Sequence, residues 1–275
     1  MNQNKIEFRK VRDFGGLLNA TFDYIKSNFK ILFKSNLFIS APAILLAGVF
    51  MGLYQSSMFN FTDYPDLQQI GIPFLFSMFF MLLSYLIITV VTYSHLMVYK
   101  QSETGSFDID DVWQMAKQNF FMILFSGIGY TIIAGFGFLF LIIPGVYLSI
   151  ALSLIFIVRL EEGLGFFEAI GRCIRLIKYN WWFTFGLIIV VGFIQGFLGG
   201  ILYIPNYIVM IFAVFTGVDG ESGGLTKILY IISSIITSLS ALLYVISTLA
   251  IAFQYYNLVE RKEAPGLLQQ IENIK

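Results

Sequence analysis

Charge vanishes from this chain in long runs. No Asp, Glu, Lys or Arg occurs in 35–62, 67–99, 118–158, 179–218 or 228–259. A helix needs about 20 apolar residues to cross the hydrocarbon of a bilayer. Each run is long enough for one crossing, and 118–158 for two. A soluble fold would still need a charged surface, roughly a quarter of its residues. Here 12% of the 275 residues are charged, 57% are hydrophobic, and the mean hydropathy is +0.79. Lipid as the outer solvent accounts for that deficit.

Spans are expected at 31–54, 72–98, 120–142, 145–160, 181–203 and 227–256. Pro144-Gly145 is expected to split the long run by a tight turn. The segment 204–217, behind Pro205, reads either as a continuation of span five or as a helix lying on the outer surface. The N-terminal MNQNKIEFRKVRDF has no early hydrophobic region, so the first span is expected to serve as the targeting signal. The basic residues set the expected orientation. With both termini in the cytoplasm, every Lys and Arg except Lys227 falls on the cytoplasmic side, and the outer loops carry Asp63, Asp66, Asp219 and Glu221.

Three segments share a pattern: Lys26-Ser-Asn28-Phe29, Lys117-Gln-Asn119-Phe120 and Lys178-Tyr-Asn180-Trp181. Each leads into a span. Upstream, apolar positions recur in register at spacings of four, four, three and four, which is one helical face. The rows are Phe14, Leu18, Phe22, Ile25, Phe29; Gly105, Ile109, Trp113, Ala116, Phe120; and Phe166, Ile170, Ile174, Ile177, Trp181. Asn19, Asp23 and Lys26, and likewise Glu168, Arg172 and Arg175, make the opposite polar face. The expected fold is therefore an all-α integral membrane protein, one membrane domain over 1–275 with six transmembrane helices. They form three parallel repeats (13–100, 106–160 and 161–260), each an amphipathic cytoplasmic helix followed by a transmembrane hairpin. The lysines are expected to meet lipid phosphates or a partner, Asn28, Asn119 and Asn180 to turn the chain into the bilayer, and Trp181 to anchor that turn.

The motif Pro144-Gly145-Val146-Tyr147, then Glu161, then Glu168-Ala-Ile170-Gly-Arg172 and Leu176-Ile-Lys178-Tyr-Asn180-Trp181-Trp182 resembles a known family. It is similar to bacterial multi-pass proteins grouped with the membrane domain of glycerophosphoryl diester phosphodiesterase. The likeness is best over 140–185, and Cys173 stands where a small polar residue is usual. In two-part members the resemblance places the phosphodiesterase chemistry in a separate barrel domain that needs His, Glu and Asp around a metal. This chain has a single histidine, His95, so that activity does not carry over.

Among candidate residues, His95 favours a structural hydrogen bond over a proton relay. Cys173 favours a small buried thiol over palmitoylation. Gly192-x-x-x-Gly196-x-x-x-Gly200 and Gly127-x-x-x-Thr131-x-x-x-Gly135 are expected to mark close helix contacts. Gln195 is the clearest polar residue deep in a span, and Asn206 falls near its outer end. The glycosylation pattern at Asn60-Phe-Thr62 recurs at Asn19-Ala-Thr21, on the side expected to be cytoplasmic, which shows how little it discriminates. No phosphate loop, zinc motif or nucleophile elbow occurs, so no catalytic residue, metal or cofactor is expected. With zero net charge, no nucleic-acid partner is expected either.

The expectation is a non-enzymatic scaffold or accessory factor in envelope or lipid homeostasis, in a bacterial inner membrane. Its partners would be lipids and another membrane or cytoplasmic protein. The alternative is a transporter or channel for a lipid-like or small neutral molecule. A continuous polar cavity near Gln195 would favour transport and a filled core would favour a scaffold. The topology has a direct test. In a Cys173→Ser background, a cysteine at position 64 should react with an impermeant maleimide added outside the cell; labelling only from the cytoplasmic side overturns the orientation.

Overall fold

The structure is a computed structural model and describes residues 6–58, 67–102, 107–216 and 222–264. Lys5, Gly105, Lys275, the Asn60-Phe-Thr62 pattern and the outer-loop acids Asp63, Asp66, Asp219 and Glu221 lie outside the described residues. The described chain is helical, without strands. Its helices are α1 (Phe14–Met58), α2 (Leu67–Gln101), α3 (Ile109–Phe140), α4 (Ile142–Leu152), α5 (Ile155–Glu162), α6 (Phe166–Ile177), α7 (Trp181–Thr216), α8 (Ser222–Ser238) and α9 (Tyr244–Glu263). A 3₁₀ turn, Leu239–Leu243, joins α8 to α9.

Six helical stretches are long and apolar enough to cross a membrane: Phe14–Met58, Ile70–Gln101, Ile109–Leu139, Ile142–Glu162, Trp181–Phe215 and Gly224–Glu263. They coincide with the six spans expected from the charge-free runs, and the chain is a multi-pass membrane protein. Its exposed surface agrees. On α3, Phe121, Phe125, Ile128, Ile132, Phe136 and Leu139 form one exposed row; on α7, Phe193 and Phe197 do the same. An apolar stripe of that length is a liability in water and the ordinary outer surface of a protein in lipid.

Of three boundaries, two differ from expectation and the one at Pro205 settles an open alternative. The break in the long run falls at Leu141, which is extended (φ −163°, ψ 147°), and not at Pro144-Gly145. Proline in the first turn of a helix removes an N–H that has no intrahelical acceptor, so α4 begins upstream of Pro144 at no cost in hydrogen bonds. Secondly, α7 runs unbroken through Pro205, so 204–216 continues span five. Thirdly, the first two Lys-x-Asn-aromatic elements are not turns. Asn28 and Asn119 sit inside α1 and α3, each donating Nδ2 to the carbonyl four residues back, Tyr24 and Met115, at 3.0 Å. Only the third element turns, between α6 and α7, and there Tyr179, not Asn180, takes the left-handed conformation (φ 71°).

The residues buried in the segments leading into the spans fall partly beside the apolar rows and partly, at Ala116 and Ile177, on them. Leu17, Ala20, Thr21 and Tyr24 are buried on α1, Val112 and Ala116 on α3, and Ala169, Cys173, Leu176 and Ile177 on α6. Phe22, Phe29 and Trp113 are exposed. Small residues let backbones approach, and Ala20, Thr21, Ala116, Ala169 and Cys173 are among the buried positions, together with the large Tyr24.

The described residues divide into two compact units. One is drawn from Met1–Phe33, Val90–Gly192 and Val245–Lys275, the other from Lys34–Thr89 and Phe193–Tyr244; the divisions fall inside α1, α2 and α7. In the first unit, Phe8 packs among the rings of Tyr24, Tyr99, Phe253 and Tyr256, at 5.3–6.1 Å between centroids. Tyr24 in turn holds His95 through a 2.9 Å hydrogen bond to Nδ1, while Nε2 is buried without a partner among the described residues. In the second unit, α1 and α8 touch backbone to backbone at Gly48 and Gly52. A Cβ at Gly48 would lie 2.6 Å from the Ile235 Cα, and one at Gly52 2.4 Å from the Ile231 Cα.

The glycines singled out by spacing behave otherwise. A Cβ at Gly135, Gly192, Gly196 or Gly200 would meet nothing within 4 Å, and one at Gly127 only the Phe156 ring edge at 3.8 Å. They are not close helix contacts. Gly52→Ala should therefore destabilise the protein by about 1–3 kcal/mol through overpacking. Gly196→Ala should be neutral or slightly stabilising through helix propensity. Thermal stability in detergent compares the two; equal losses would contradict the packing described.

Candidate functional site

Two sites can be built from the residues upward, one in each unit. In the first, α5 ends in two adjacent carboxylates, Glu161 and Glu162, and α9 presents two adjacent phenols, Tyr255 and Tyr256. The Tyr256 hydroxyl donates to Glu161 and the Tyr255 hydroxyl to Glu162. Each carboxylate also has its own cation. Lys100 Nζ, from the end of α2, lies 2.5 and 2.6 Å from the two Glu161 oxygens and 4.8 Å from the centre of the Tyr256 ring. Arg172, from α6, donates Nε to Glu162 at 2.8–2.9 Å and Nη2 to Glu263 at 2.9 Å. Its hydrogen bonds, to Glu263 foremost, hold the guanidinium pKa above its ordinary value against the opposing effect of burial. Gly163 closes α5 with φ 65°, a left-handed cap that lets the chain reverse into α6 directly after the acids.

This cluster fastens α2, α5, α6 and α9. Each acid already has a cation and a phenol, so none is poised as a base beside a nucleophile. Among the described residues, no group of three or more His, Cys, Asp or Glu could hold a metal ion. Spacing arguments missed the cluster, although a signal was present. Glu161-Glu162 stands two residues beyond Arg159, at the end of a charge-free run, and Tyr255-Tyr256 lies near the end of the last one.

The expected interfacial residues scatter. Lys26, Lys117, Lys178 and Arg175 are exposed, with Lys117 lying 5.5 Å over the Trp113 ring and Lys178 5.2 Å over Tyr179. Arg172 is taken up by the ion pairs. Trp181 stacks on Phe185 at 5.1 Å and donates Nε1 to the Tyr147 carbonyl at 3.3 Å, so it is half-buried packing as much as surface. Cys173 is fully buried; burial first, and the nearby Glu162 charge, push its thiol up to about 12.

The second site is a cavity of about 380 Å³ beside Gln195. One side is the face of α7 formed by Gly196, Gly199, Gly200, Tyr203 and Tyr207. Across from it lie Tyr85 of α2 and, around the 3₁₀ turn, Ser240, Leu243 and Tyr244. Gln195 Nε2 donates to the Leu243 carbonyl at 2.6 Å. The tighter 3₁₀ winding redirects carbonyls that an α-helix would keep for itself. Tyr85 and Tyr244 meet edge to face at 5.1 Å. Gly196 and Gly200, expected at a helix contact, instead keep this space open. No charged residue lines the cavity, and its polar groups are the phenols, one amide, one hydroxyl and helix backbone.

Compared with known proteins, the chain matches no family model, no curated protein and no solved structure.

The ion-pair cluster and the buried thiol make a joint prediction. Lys100→Met should cost about 2 kcal/mol by leaving Glu161 half-compensated, less than a fully buried pair because Lys100 is 26% exposed. Lys100→Met with Glu161→Met should recover most of that loss. At pH 8 the Cys173 thiolate fraction is on the order of one in ten thousand, so maleimide should label Cys173 only after denaturation, or in Lys100→Met if the unit loosens. Denaturation curves and a labelling time course read the two; rapid labelling of the native protein contradicts the burial.

Proposed function

We propose that this multi-pass membrane protein is a non-enzymatic carrier of a lipid-like or small neutral molecule, serving lipid or envelope homeostasis in a bacterial cytoplasmic membrane. The observation that carries this reading is the cavity at Gln195. Its volume is in the range of small-molecule sites. Its phenols and amide give an apolar body with polar tips, which suits an amphiphile. Ion-coupled transport normally uses charged side chains within the membrane, and no Asp, Glu, Lys, Arg or His lines this cavity, so the cargo is neutral. The 3₁₀ turn under the cavity is a place where a helix can lengthen or shorten by a small change of winding.

A scaffold or accessory role is the second reading. The ion-pair cluster favours it, because it fixes four helices and leaves Lys26, Lys117, Lys178 and Arg175 outward for lipid phosphates or a partner. Both termini then face the cytoplasm, in keeping with the basic residues. The three-repeat organisation is supported by equivalent burial. Leu17, Thr21 and Tyr24 stand eleven, seven and four residues before Asn28, and Ala169, Cys173 and Leu176 stand likewise before Asn180. Val112 stands seven before Asn119. Relationship to the membrane domain grouped with glycerophosphoryl diester phosphodiesterase rests on the motif over 144–182.

Filling the cavity tests the carrier. Gly196→Leu with Gly200→Leu adds side chains where nothing stands within 4 Å, so the protein should fold. After extensive detergent washing, lipid extracts of the wild type should contain a lipid-like molecule that the double variant lacks, read by mass spectrometry at equal protein. Identical extracts from well-folded samples would remove the carrier reading and leave the scaffold.

A further inference from the structure

A second cavity in the same unit, of about 260 Å³, has a different chemistry. Met51, Met78, Met81, Leu82 and Phe74 supply flexible apolar walls. Among them stand Gln55 of α1, Asn206 of α7 and Ser234 of α8, joined to one another. Asn206 Nδ2 donates to Gln55 Oε1 at 2.9 Å and to Ser234 Oγ at 3.2 Å, and Ser234 Oγ donates to the same Gln55 oxygen at 2.9 Å. The other serine and threonine hydroxyls at the cavity are engaged: Ser77 bonds the Ala47 carbonyl, Thr237 that of Leu202 and Ser238 that of Ile44, and the Tyr203 phenol also lines it.

Counting valences isolates what remains. An amide side chain offers two N–H donors and one carbonyl with two lone pairs. The Gln55 carbonyl is filled by its two donors, and both donors on Gln55 Nε2 are left. On Asn206 the amide nitrogen is engaged and the carbonyl oxygen is left. Two half-buried amides thus leave donors and an acceptor at a cavity lined otherwise by apolar side chains, engaged hydroxyls and the Tyr203 phenol, in a helix set that faces lipid. Leaving such groups without partners costs free energy. A hydroxyl group satisfies both at once, since it accepts from Gln55 and donates to Asn206. No charged residue lines the cavity, so an anionic headgroup finds no counter-charge.

We infer that the Gln55–Asn206–Ser234 cluster is a binding site for the free hydroxyl of a neutral lipid, such as an acylglycerol, with the acyl chain lying along the methionines. This site stands on its own residues and does not depend on the Gln195 cavity, although Tyr203 borders both.

The test uses the full-length protein in phosphatidylcholine nanodiscs with a photoreactive, alkyne-tagged monoacylglycerol. Labelled peptides should map to 47–58, 74–82 and 203–210. Unlabelled monoacylglycerol should compete, whereas the same lipid with its hydroxyls methylated, and the corresponding fatty acid, should compete about tenfold more weakly. Gln55→Met, close to glutamine in size, and Asn206→Leu should each weaken labelling by a similar factor. Met81→Trp, which fills the cavity without touching the cluster, should do the same and guards against a folding defect at the amides. Equal competition by the methylated lipid or by the fatty acid overturns the assignment, as does unchanged labelling in folded Gln55→Met and Met81→Trp. Gly196→Leu with Gly200→Leu should leave this labelling intact, which separates a failure here from a failure of the carrier reading.

Discussion

Every polar group of this protein that enters lipid must find its partner inside the protein, because no water is there to supply one. The backbone meets that condition by being helical. Many of the small polar side chains meet it by folding back on their own helices. Thr21, Ser84, Thr89, Ser126, Thr131, Ser149 and Thr184 each donate a hydroxyl to the carbonyl four residues earlier, and Asn28 and Asn119 do the same with their amides. Such bonds slightly weaken their own helices. Their effect is to remove polarity from the surface offered to lipid, which is how spans rich in Ser and Thr remain apolar to their surroundings.

The same condition shapes the ion pairs. A carboxylate at the end of an apolar helix is costly unless cations and donors replace its hydration. Glu161 and Glu162 are neighbours in sequence and would repel each other if left to one counter-ion. Lys100 and Arg172 arrive from different helices and divide them, and Tyr256 and Tyr255 supply one further hydrogen bond apiece. The phenols suit this place because the ring packs on apolar neighbours while the hydroxyl reaches the charge. Phe8 extends the apolar side of the arrangement by covering Tyr256 and Tyr24 together. The pairing therefore holds helices in register more than it adds net stability.

The six spans were legible because exclusion of charge is a property of sequence alone. Lengths, capping and side-chain partners were less so. Pro144 looked like the break because proline ends helices from within, yet at a first turn it is harmless, and the chain broke at Leu141 with no marked residue. The Asn residues looked like turns because Asn tolerates positive φ, but at two of three sites the amide found a carbonyl four residues back and the helix continued. Leu17, Val112, Ala169 and Leu176, each one position from a residue of the expected rows, are buried. Glu162, Tyr255 and Tyr256 were not foreseen because their partners come from up to 95 residues away in sequence, beyond any local period.

Glycine shows most plainly where one dimension stops. Gly48-x-x-x-Gly52 and Gly196-x-x-x-Gly200 have the same spacing and both lie in apolar helices. The first pair faces the backbone of Ile231 and Ile235 and lets two helices touch. The second faces space. What separates them is the residue opposite. Against the first pair, α8 presents a continuous helix whose own backbone enters the groove. Across the cavity from the second stands the 3₁₀ turn Leu239–Leu243, whose tighter winding shifts side chains and turns the Leu243 carbonyl toward Gln195. A missing side chain thus becomes a contact where its neighbour is regular and a cavity where its neighbour is not. In a membrane such a cavity holds only groups that lipid or protein can supply. The polarity of its walls then defines the molecule that fits.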